Sequence, residues 1–165
     1  MDVLKLSTDW AHSEVFSAKI AALIGLFFFM ASIGFWQLGK TVMANAFVWP
    51  LLIAGGLIFT VSAGLYFTNK PRISQFEKAY KHDTQAFVKT EIERTSKSQK
   101  ELALVFKILP CIIIAAALLI MFANTPMWRA TGITTIALMI VLLLIDSNTN
   151  ARNTAYHQAL KTITR

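Results

Sequence analysis

Residues 20–39 read IAALIGLFFFMASIGFWQLG and contain no charged side chain. An α-helix rises about 1.5 Å per residue, so a run of this length can cross a hydrocarbon core about 30 Å thick. Three further runs are similarly long and apolar: residues 47–67, which are free of charge, and residues 102–123 and 128–145, which contain only Lys107 and Arg129, each near one end. The chain has 165 residues, of which 55% are hydrophobic and 15% are charged, unlike a typical water-soluble domain. The sequence therefore predicts an all-α integral membrane protein with four transmembrane helices.

Local capping signals mark the ends of these runs. Thr125 followed by Pro126 predicts the start of the fourth helix, because a capping hydroxyl and a first-turn proline both favour helix initiation. Pro50 falls in the first turn of the second run, where a missing backbone N–H is tolerated. Ser98, with Glu101 three residues later, has the spacing of a capping box. This spacing predicts a turn over residues 95–98 and a third helix that begins after it.

The distribution of basic residues predicts the orientation. Of the 16 Lys and Arg residues, all except Lys40 and Arg129 lie on one side of the predicted spans or, for Lys107, near that end of one. Because positive charge accumulates in cytoplasmic loops, both termini are predicted to be cytoplasmic. The compact chain with tight outer turns favours the inner (cytoplasmic) membrane of a bacterium. Trp36, Trp49 and Trp128 fall at the opposite ends of their spans, as expected of an interfacial aromatic belt.

The predicted organisation is a single four-helix transmembrane domain over residues 1–165, built as two hairpins with tight outer turns. Residues 68–101 form a cytoplasmic amphipathic connection between the hairpins, and residues 146–165 form a cytoplasmic tail that is predicted to be helical. A straight helix from Pro71 to Arg94 would be about 36 Å long. The connection must therefore lie along the membrane surface or fold back near residues 82–84.

Two sets of side chains on this connection are candidates for binding. Apolar residues recur at near-helical intervals and could form a docking stripe for a partner protein: Ile73, Phe76, Tyr80 and Phe87. Basic residues on the same segment could bind anionic lipid headgroups at the cytoplasmic face: Lys70, Arg72, Lys78 and Lys81. The alternative for the basic set is a topology signal without a binding role.

Within the spans, two features could carry function. Lys107 and Asp146 should lie at a similar depth, where they could form an ion pair or a gate; alternatively, Lys107 extends to the headgroups and Asp146 flanks its helix. Gly56, Thr60 and Gly64 form a small-residue stripe that allows close helix approach. The stripe is expected to pack inside the bundle, against residues 21–25 or 115–117, or to form a contact between copies of the chain.

The sequence lacks the residues that several kinds of functional site require. The histidines, His12, His82 and His157, all lie outside the spans, so a haem held between transmembrane helices is not expected. Cys111 is a single cysteine without a disulfide or metal-cluster partner. No catalytic motif and no mid-membrane carboxylate is present, so no metal, cofactor or enzymatic activity is predicted. Attraction to anionic lipids accounts for the net charge of +7, and a nucleic-acid partner is not expected.

These features favour a protein that acts by binding another protein. One hypothesis is immunity to a membrane-inserting toxin, or exclusion of a secretion or conjugation apparatus, through outer-face residues: Lys40, Asn45, Asn124 and Arg129. A second hypothesis is an oligomeric small transporter or channel subunit, with the Gly56 stripe at the contact between copies. A third is an accessory or assembly subunit of a larger membrane complex that binds its partner through the docking stripe.

Overall fold

The computed structural model describes residues 2–163, and this part of the chain contains helices and no strands. The helices are α1 (Val3–Leu38), α2 (Val42–Ala46), α3 (Val48–Asn69), α4 (Arg72–His82), α5 (Thr84–Phe122) and α6 (Pro126–Ile163). Four helical stretches are long and apolar enough to cross a membrane. The predicted all-α architecture with four candidate spans is therefore confirmed, and it is compatible with a multi-pass membrane protein. The first residue and the last two residues of the predicted domain lie outside the described part.

Three helices are much longer than a bilayer requires. Helices α1, α5 and α6 contain 36, 39 and 38 residues, whereas about 20 suffice to span the hydrocarbon core. The predicted turn over residues 95–98 is wrong, because α5 runs without a break through this segment. Ser98 caps no helix; its hydroxyl oxygen accepts a hydrogen bond from Asn153 Nδ2 at 2.8 Å. A contact with α6 thus replaces the local capping interaction.

The connection after α3 folds back on itself at a single residue. Helix α4 ends at His82, and Asp83 is extended, with a φ of −153°. The Asp83 side chain accepts a hydrogen bond from the backbone N–H of Ala86 at 3.0 Å and so caps α5. An aspartate at this position satisfies a helix N–H group that has no partner within the helix. Of the two predicted arrangements, the structure has the fold-back.

The apolar parts of the helices pack in two close pairs. Helix α1 packs along α3 and α5 packs along α6, while α6 also contacts α3. Gly25 and Gly55 allow the backbones of α1 and α3 to approach, because a Cβ on Gly55 would lie 3.0 Å from the carbonyl oxygen of Gly25. Near the other end of this contact, Ser32 Oγ donates to the carbonyl oxygen of Val48 at 2.8 Å. The interior is filled by apolar side chains: Phe28, Ala54, Ile58, Leu109, Leu138 and Met139.

The polar parts form a second packed unit at one end of the molecule, which we call the polar bundle (residues 3–19, 72–101 and 146–163). It contains its own buried core: Val3, Trp10, Ala11, Phe76, Phe87, Val88, Tyr156 and Leu160. At the opposite end, residues 39–47 and 123–127 connect the helices, and we call them the loop end. Helix α2 lies in the first of these connections and packs on α6.

Candidate functional site

Trp10 lies at the centre of the polar bundle. Its ring stacks on Tyr156, with centroids 5.5 Å apart, and lies 6.4 Å from the ring of Phe76. The guanidinium carbon of Arg94 is 4.1 Å from the Trp10 ring centroid, a distance at which a cation is attracted to the aromatic face. Trp10 therefore links side chains from α1, α4, α5 and α6.

The predicted docking stripe is located inside this core. Phe76 and Phe87 are each only 6% exposed, and their rings meet edge to face with centroids 5.5 Å apart. The Tyr80 ring contacts Phe87 at 5.9 Å, and Ile73 packs against the same cluster. The fold-back at Asp83 turns the apolar face of α4 onto the neighbouring helices. Phe76 and Phe87 are thus covered by the chain's own side chains, whereas Ile73 and Tyr80 are only partly buried; docking of a partner on this stripe stays a prediction.

A network of polar side chains surrounds the aromatic core. The Tyr156 hydroxyl donates to the carboxylate of Glu91 at 3.0 Å, and Ser7 Oγ lies 2.7 Å from the same hydroxyl oxygen. Glu91 also accepts two hydrogen bonds from Arg94, at 2.9 and 2.7 Å. Burial and the negative charge of Glu91 raise the pKa of Tyr156, so this tyrosine stays protonated. The network joins α1, α5 and α6.

A second polar contact joins α5 to α6 next to this network. His157 Nδ1 lies 2.7 Å from Thr95 Oγ1, and both side chains are buried. Burial, with a smaller contribution from the positive charge of Lys161, lowers the pKa of His157. The neutral imidazole is therefore favoured in the folded state.

The sequence interpretation missed these polar contacts, although a signal for them exists. Buried residues recur along the first half of α1 at three- and four-residue intervals, which is the spacing of one helix face: Val3, Ser7, Trp10, Ala11, Glu14 and Ala18. Serine and glutamate interrupt the apolar pattern, and for this reason the segment does not stand out by hydropathy. The partners of Ser7 and Glu14 lie in distant parts of the chain and cannot be deduced from local spacing.

The predicted headgroup-binding residues are divided by the fold. Lys70, Lys78 and Lys81 are exposed, and Lys81 pairs with Glu77 at 2.8 Å. Arg72 is half-buried and points towards the bundle: its guanidinium donates to Asn69 Oδ1 at 2.9 Å and lies 5.9 Å from the Trp10 ring. Three of the four predicted basic residues therefore remain accessible on the surface.

Lys107 and Asp146 are not joined by an ion pair. The ion pairs within residues 2–163 connect Lys81 to Glu77, Arg94 to Glu91, Lys97 to Glu101 and Arg152 to Glu14. Lys107 is on the exposed side of α5, whereas Asp146 is half-buried. Thus the structure does not show the predicted pair or gate.

The small-residue stripe of α3 faces outward. A Cβ on Gly56 or Gly64 would meet no other atom within 4 Å, and Thr60 is exposed. The close contact with α1 is made one residue earlier, at Gly55, next to Ala54 and Ile58. The stripe therefore does not pack against residues 21–25 or 115–117, and a contact between copies stays a prediction.

The loop end presents polar side chains. Lys40, Asn45 and Asn124 are exposed and make no side-chain hydrogen bond or ion pair within residues 2–163. Arg129 is also exposed, and its Nε donates to the carbonyl oxygen of Ala123 at 3.0 Å, which fixes the turn before α6. The beginnings of α3 and α6 line a common cavity of about 180 Å³, so both loops lie at the same end of the molecule.

No converging group of three His, Cys, Asp or Glu side chains that could hold a metal occurs in the described residues. Cys111 is free and exposed on α5. No protein-family model, curated protein or solved structure matches the chain. Its function is therefore inferred from its own geometry.

Proposed function

We propose that the chain is a multi-pass protein of the inner membrane of a bacterium, with both termini and the polar bundle in the cytoplasm. The charge distribution supports this orientation. Lys40 lies in the loop end and Arg129 in the first turn of α6 beside it, whereas the other Lys and Arg residues among residues 2–163 lie towards the polar bundle. Exposed Trp36, Trp49 and Trp128 lie near the loop end, where interfacial tryptophans are expected.

Cysteine labelling in intact cells tests the orientation. With Cys111→Ala as background, Asn45→Cys and Asn124→Cys should react with a membrane-impermeant maleimide, whereas Lys78→Cys and Gln158→Cys should react only after the cells are opened. All four positions are exposed in the structure, so differences in reactivity report the side of the membrane. The reverse labelling pattern would contradict the proposed orientation.

The chain acts without catalysis, by binding another protein at its loop end. The observation that carries this proposal is the contrast between the predicted docking stripe and the loop end. In the polar bundle, Phe76 and Phe87 of the docking stripe are packed in the core. The nearby carboxylate of Glu91 accepts hydrogen bonds from Arg94 and Tyr156. At the loop end, Lys40, Asn45 and Asn124 are exposed and unbonded within the described residues. Donors and acceptors without internal partners are available to a second molecule.

A partner that approaches from outside the cell would meet the loop end first. Two classes of such partner fit a small protein of this kind: a toxin that inserts into the membrane, and a secretion or conjugation apparatus that the cell excludes. Immunity or exclusion is accordingly the physiological role that we propose. An accessory subunit that docks through the stripe is less favoured, because Phe76 and Phe87, two of its four residues, are buried.

Site-specific photocrosslinking tests the binding proposal. A photoreactive amino acid at position 45 or 124 should crosslink a partner in native membranes, and the same group at exposed position 78 or 158 serves as the matched control. Lys40→Glu should weaken the crosslink, because it reverses the charge of an unpaired surface group. Crosslinks that arise only from positions 78 and 158, or crosslinks insensitive to Lys40→Glu, would contradict binding at the loop end.

A second candidate function is that of an oligomeric transporter or channel subunit. The outward position of Gly56, Thr60 and Gly64 favours it, since small residues on an exposed helix face allow two helices to approach closely. The interior of one copy is filled by apolar side chains, so a conduction path would have to form between copies. Gly56→Leu should then convert the assembly to single copies and abolish ion flux into liposomes, whereas an unchanged mass and flux would refute this candidate.

A further inference from the structure

A groove of about 630 Å³ opens between α1 and α6 where their apolar and polar parts meet. One half is lined by apolar side chains that include Ile20, Ile24 and Leu144, and the other half by polar side chains that include His12, Asn148 and Arg152. The groove is therefore amphipathic along its length. Its volume lies within the range of about 300–1,000 Å³ that is typical of small-molecule sites.

The apolar half continues the lipid-facing surface of the helices. Ile20 and Leu144 are exposed, as is Phe16 beside them. Water in this half would contact mostly hydrocarbon, which is unfavourable. In a membrane, the adjacent molecules that can fill such a space are lipid acyl chains. The groove lies where the apolar runs of α1 and α6 end. In the proposed membrane, this is the depth at which the acyl chains of a lipid join its headgroup.

The polar half offers hydrogen-bond donors without internal acceptors. Arg152 uses Nε and Nη2 to bond Glu14 and Thr149, and its Nη1 has no acceptor within residues 2–163. Asn148 and His12 are exposed and form no side-chain hydrogen bond there. No carboxylate lines the groove, because Glu14 is buried against Arg152. A guanidinium with free N–H groups is well suited to a phosphate.

We propose that this groove binds one anionic phospholipid of the surrounding membrane. The acyl chain lies along Ile20, Ile24 and Leu144, and the phosphate accepts hydrogen bonds from Asn148 and from Nη1 of Arg152. Arg152 is the one charged side chain in the lining, and its outer N–H groups favour a phosphate that has no positive group beside it, as in an anionic headgroup. The bound lipid fills the gap between α1 and α6 and contacts the residue that already pairs with Glu14. This site rests on the proposed membrane location but is independent of partner binding at the loop end.

Native mass spectrometry of the full-length protein in detergent tests the site, with phosphatidylglycerol and phosphatidylcholine as probes. One phosphatidylglycerol should bind at least fivefold more tightly than phosphatidylcholine. Asn148→Asp places a carboxylate beside the phosphate and should weaken phosphatidylglycerol binding about tenfold. Asn150→Asp is the matched control, because it makes the same change on α6 at a residue that does not line the groove; it should alter binding less than twofold.

A second pair of variants tests the apolar half. Ser17 lines the groove, so Ser17→Trp should fill it and remove the tightly bound lipid. Leu23 is exposed on the same helix but does not line the groove, and Leu23→Trp should leave lipid binding unchanged. Thermal unfolding of each variant verifies that it is folded. Because no partner protein is present in this assay, its outcome is separate from that of the photocrosslinking experiment.

Four results would overturn the proposal. Equal weakening by Asn148→Asp and Asn150→Asp would show diffuse attraction to the basic surface. Equal affinity for the two lipids would show that the headgroup is not recognised. A lipid that stays bound to Ser17→Trp would show that the lipid does not occupy the groove. A dimer that dissociates in this variant would show that a second copy of the chain occupies it.

Discussion

Glu14 in α1 and Arg152 in α6 form an ion pair that joins the two ends of the chain. Arg152 Nε donates to Glu14 Oε1 at 2.9 Å, and the Glu14 side chain is only 4% exposed. Thr149 Oγ1 lies 3.4 Å from the second oxygen of the carboxylate. Because the pair lies where α1 and α6 leave their apolar runs, it holds these two helices together at the base of the polar bundle.

Glu14→Gln should lower the free energy of unfolding by about 3 kcal/mol, because it leaves a mostly buried guanidinium without its counter-charge. Glu77→Gln is the matched control. The Glu77–Lys81 pair has side chains that are 54% and 69% exposed, so solvent screens it and its loss should change stability little. Both values can be measured by denaturant titration in mixed micelles. Similar losses for the two variants would contradict a structural role for the buried pair.

Gly55→Ala should weaken the contact between α1 and α3. The added Cβ would lie 3.0 Å from the carbonyl oxygen of Gly25 and 3.2 Å from the Cβ of Phe28, so the helices must separate, at a cost of about 1–3 kcal/mol. Gly56→Ala is the control at the next residue, where a Cβ meets nothing within 4 Å. This control should leave stability unchanged or raise it slightly, since alanine favours helix over glycine. Thermal unfolding of both variants in detergent measures the difference. A larger loss of stability for Gly56→Ala would show that α1 contacts the Gly56 face of α3 and not the Gly55 face.

Tyr156→Phe should lower the free energy of unfolding by about 1–3 kcal/mol, because the buried carboxylate of Glu91 loses a hydrogen-bond donor. The ring and its stack on Trp10 are retained, so the effect isolates the hydroxyl. Tyr80→Phe is the control: no hydrogen bond of the Tyr80 hydroxyl is found within residues 2–163, and its loss should have little effect. Denaturant unfolding followed by tryptophan fluorescence reports both variants, and equal stability of Tyr156→Phe and the unmodified chain would contradict the role of the network.

Stability should fall as the pH is lowered below about 7, because the pKa of His157 is reduced from its ordinary value of 6.5 by burial and by the charge of Lys161. The unfolded chain binds a proton at His157 as the pH passes 6.5, whereas the folded chain does so only at lower pH. The free energy of unfolding is therefore unaffected by His157 above pH 6.5 and falls progressively as the pH is lowered below 6.5. Charged residues around His157 on the two helices are Glu93, Lys97, Lys100 and Lys161, which line one cavity with it.

Unfolding measured between pH 8 and pH 5 tests this expectation. His157→Gln should flatten the dependence, while His12→Gln, at an exposed position, should retain it. A pH dependence that persists in His157→Gln would assign the effect to another group.

The candidate binding residues were predictable to different degrees. Lys40, Asn45 and Asn124 are exposed at the loop end, as their positions between apolar runs imply. The spacing of Phe76 and Phe87 predicts one face of an amphipathic helix, but it does not identify their partners Trp10 and Tyr156. Amphipathic spacing shows that a face will be covered and does not show what covers it.

The sequence by itself determined the four apolar helices and the start of α6 at Pro126, but it left open whether the connection breaks near Asp83. Both outcomes depend on residues within a few positions of one another: the length of an apolar run and a first-turn proline. Tertiary structure decided that α5 continues through Ser98, that Gly55 rather than Gly56 meets α1, and that Glu14 pairs with Arg152. These outcomes depend on contacts between segments far apart in the chain, whose relative rotation is set by side-chain packing rather than by hydropathy.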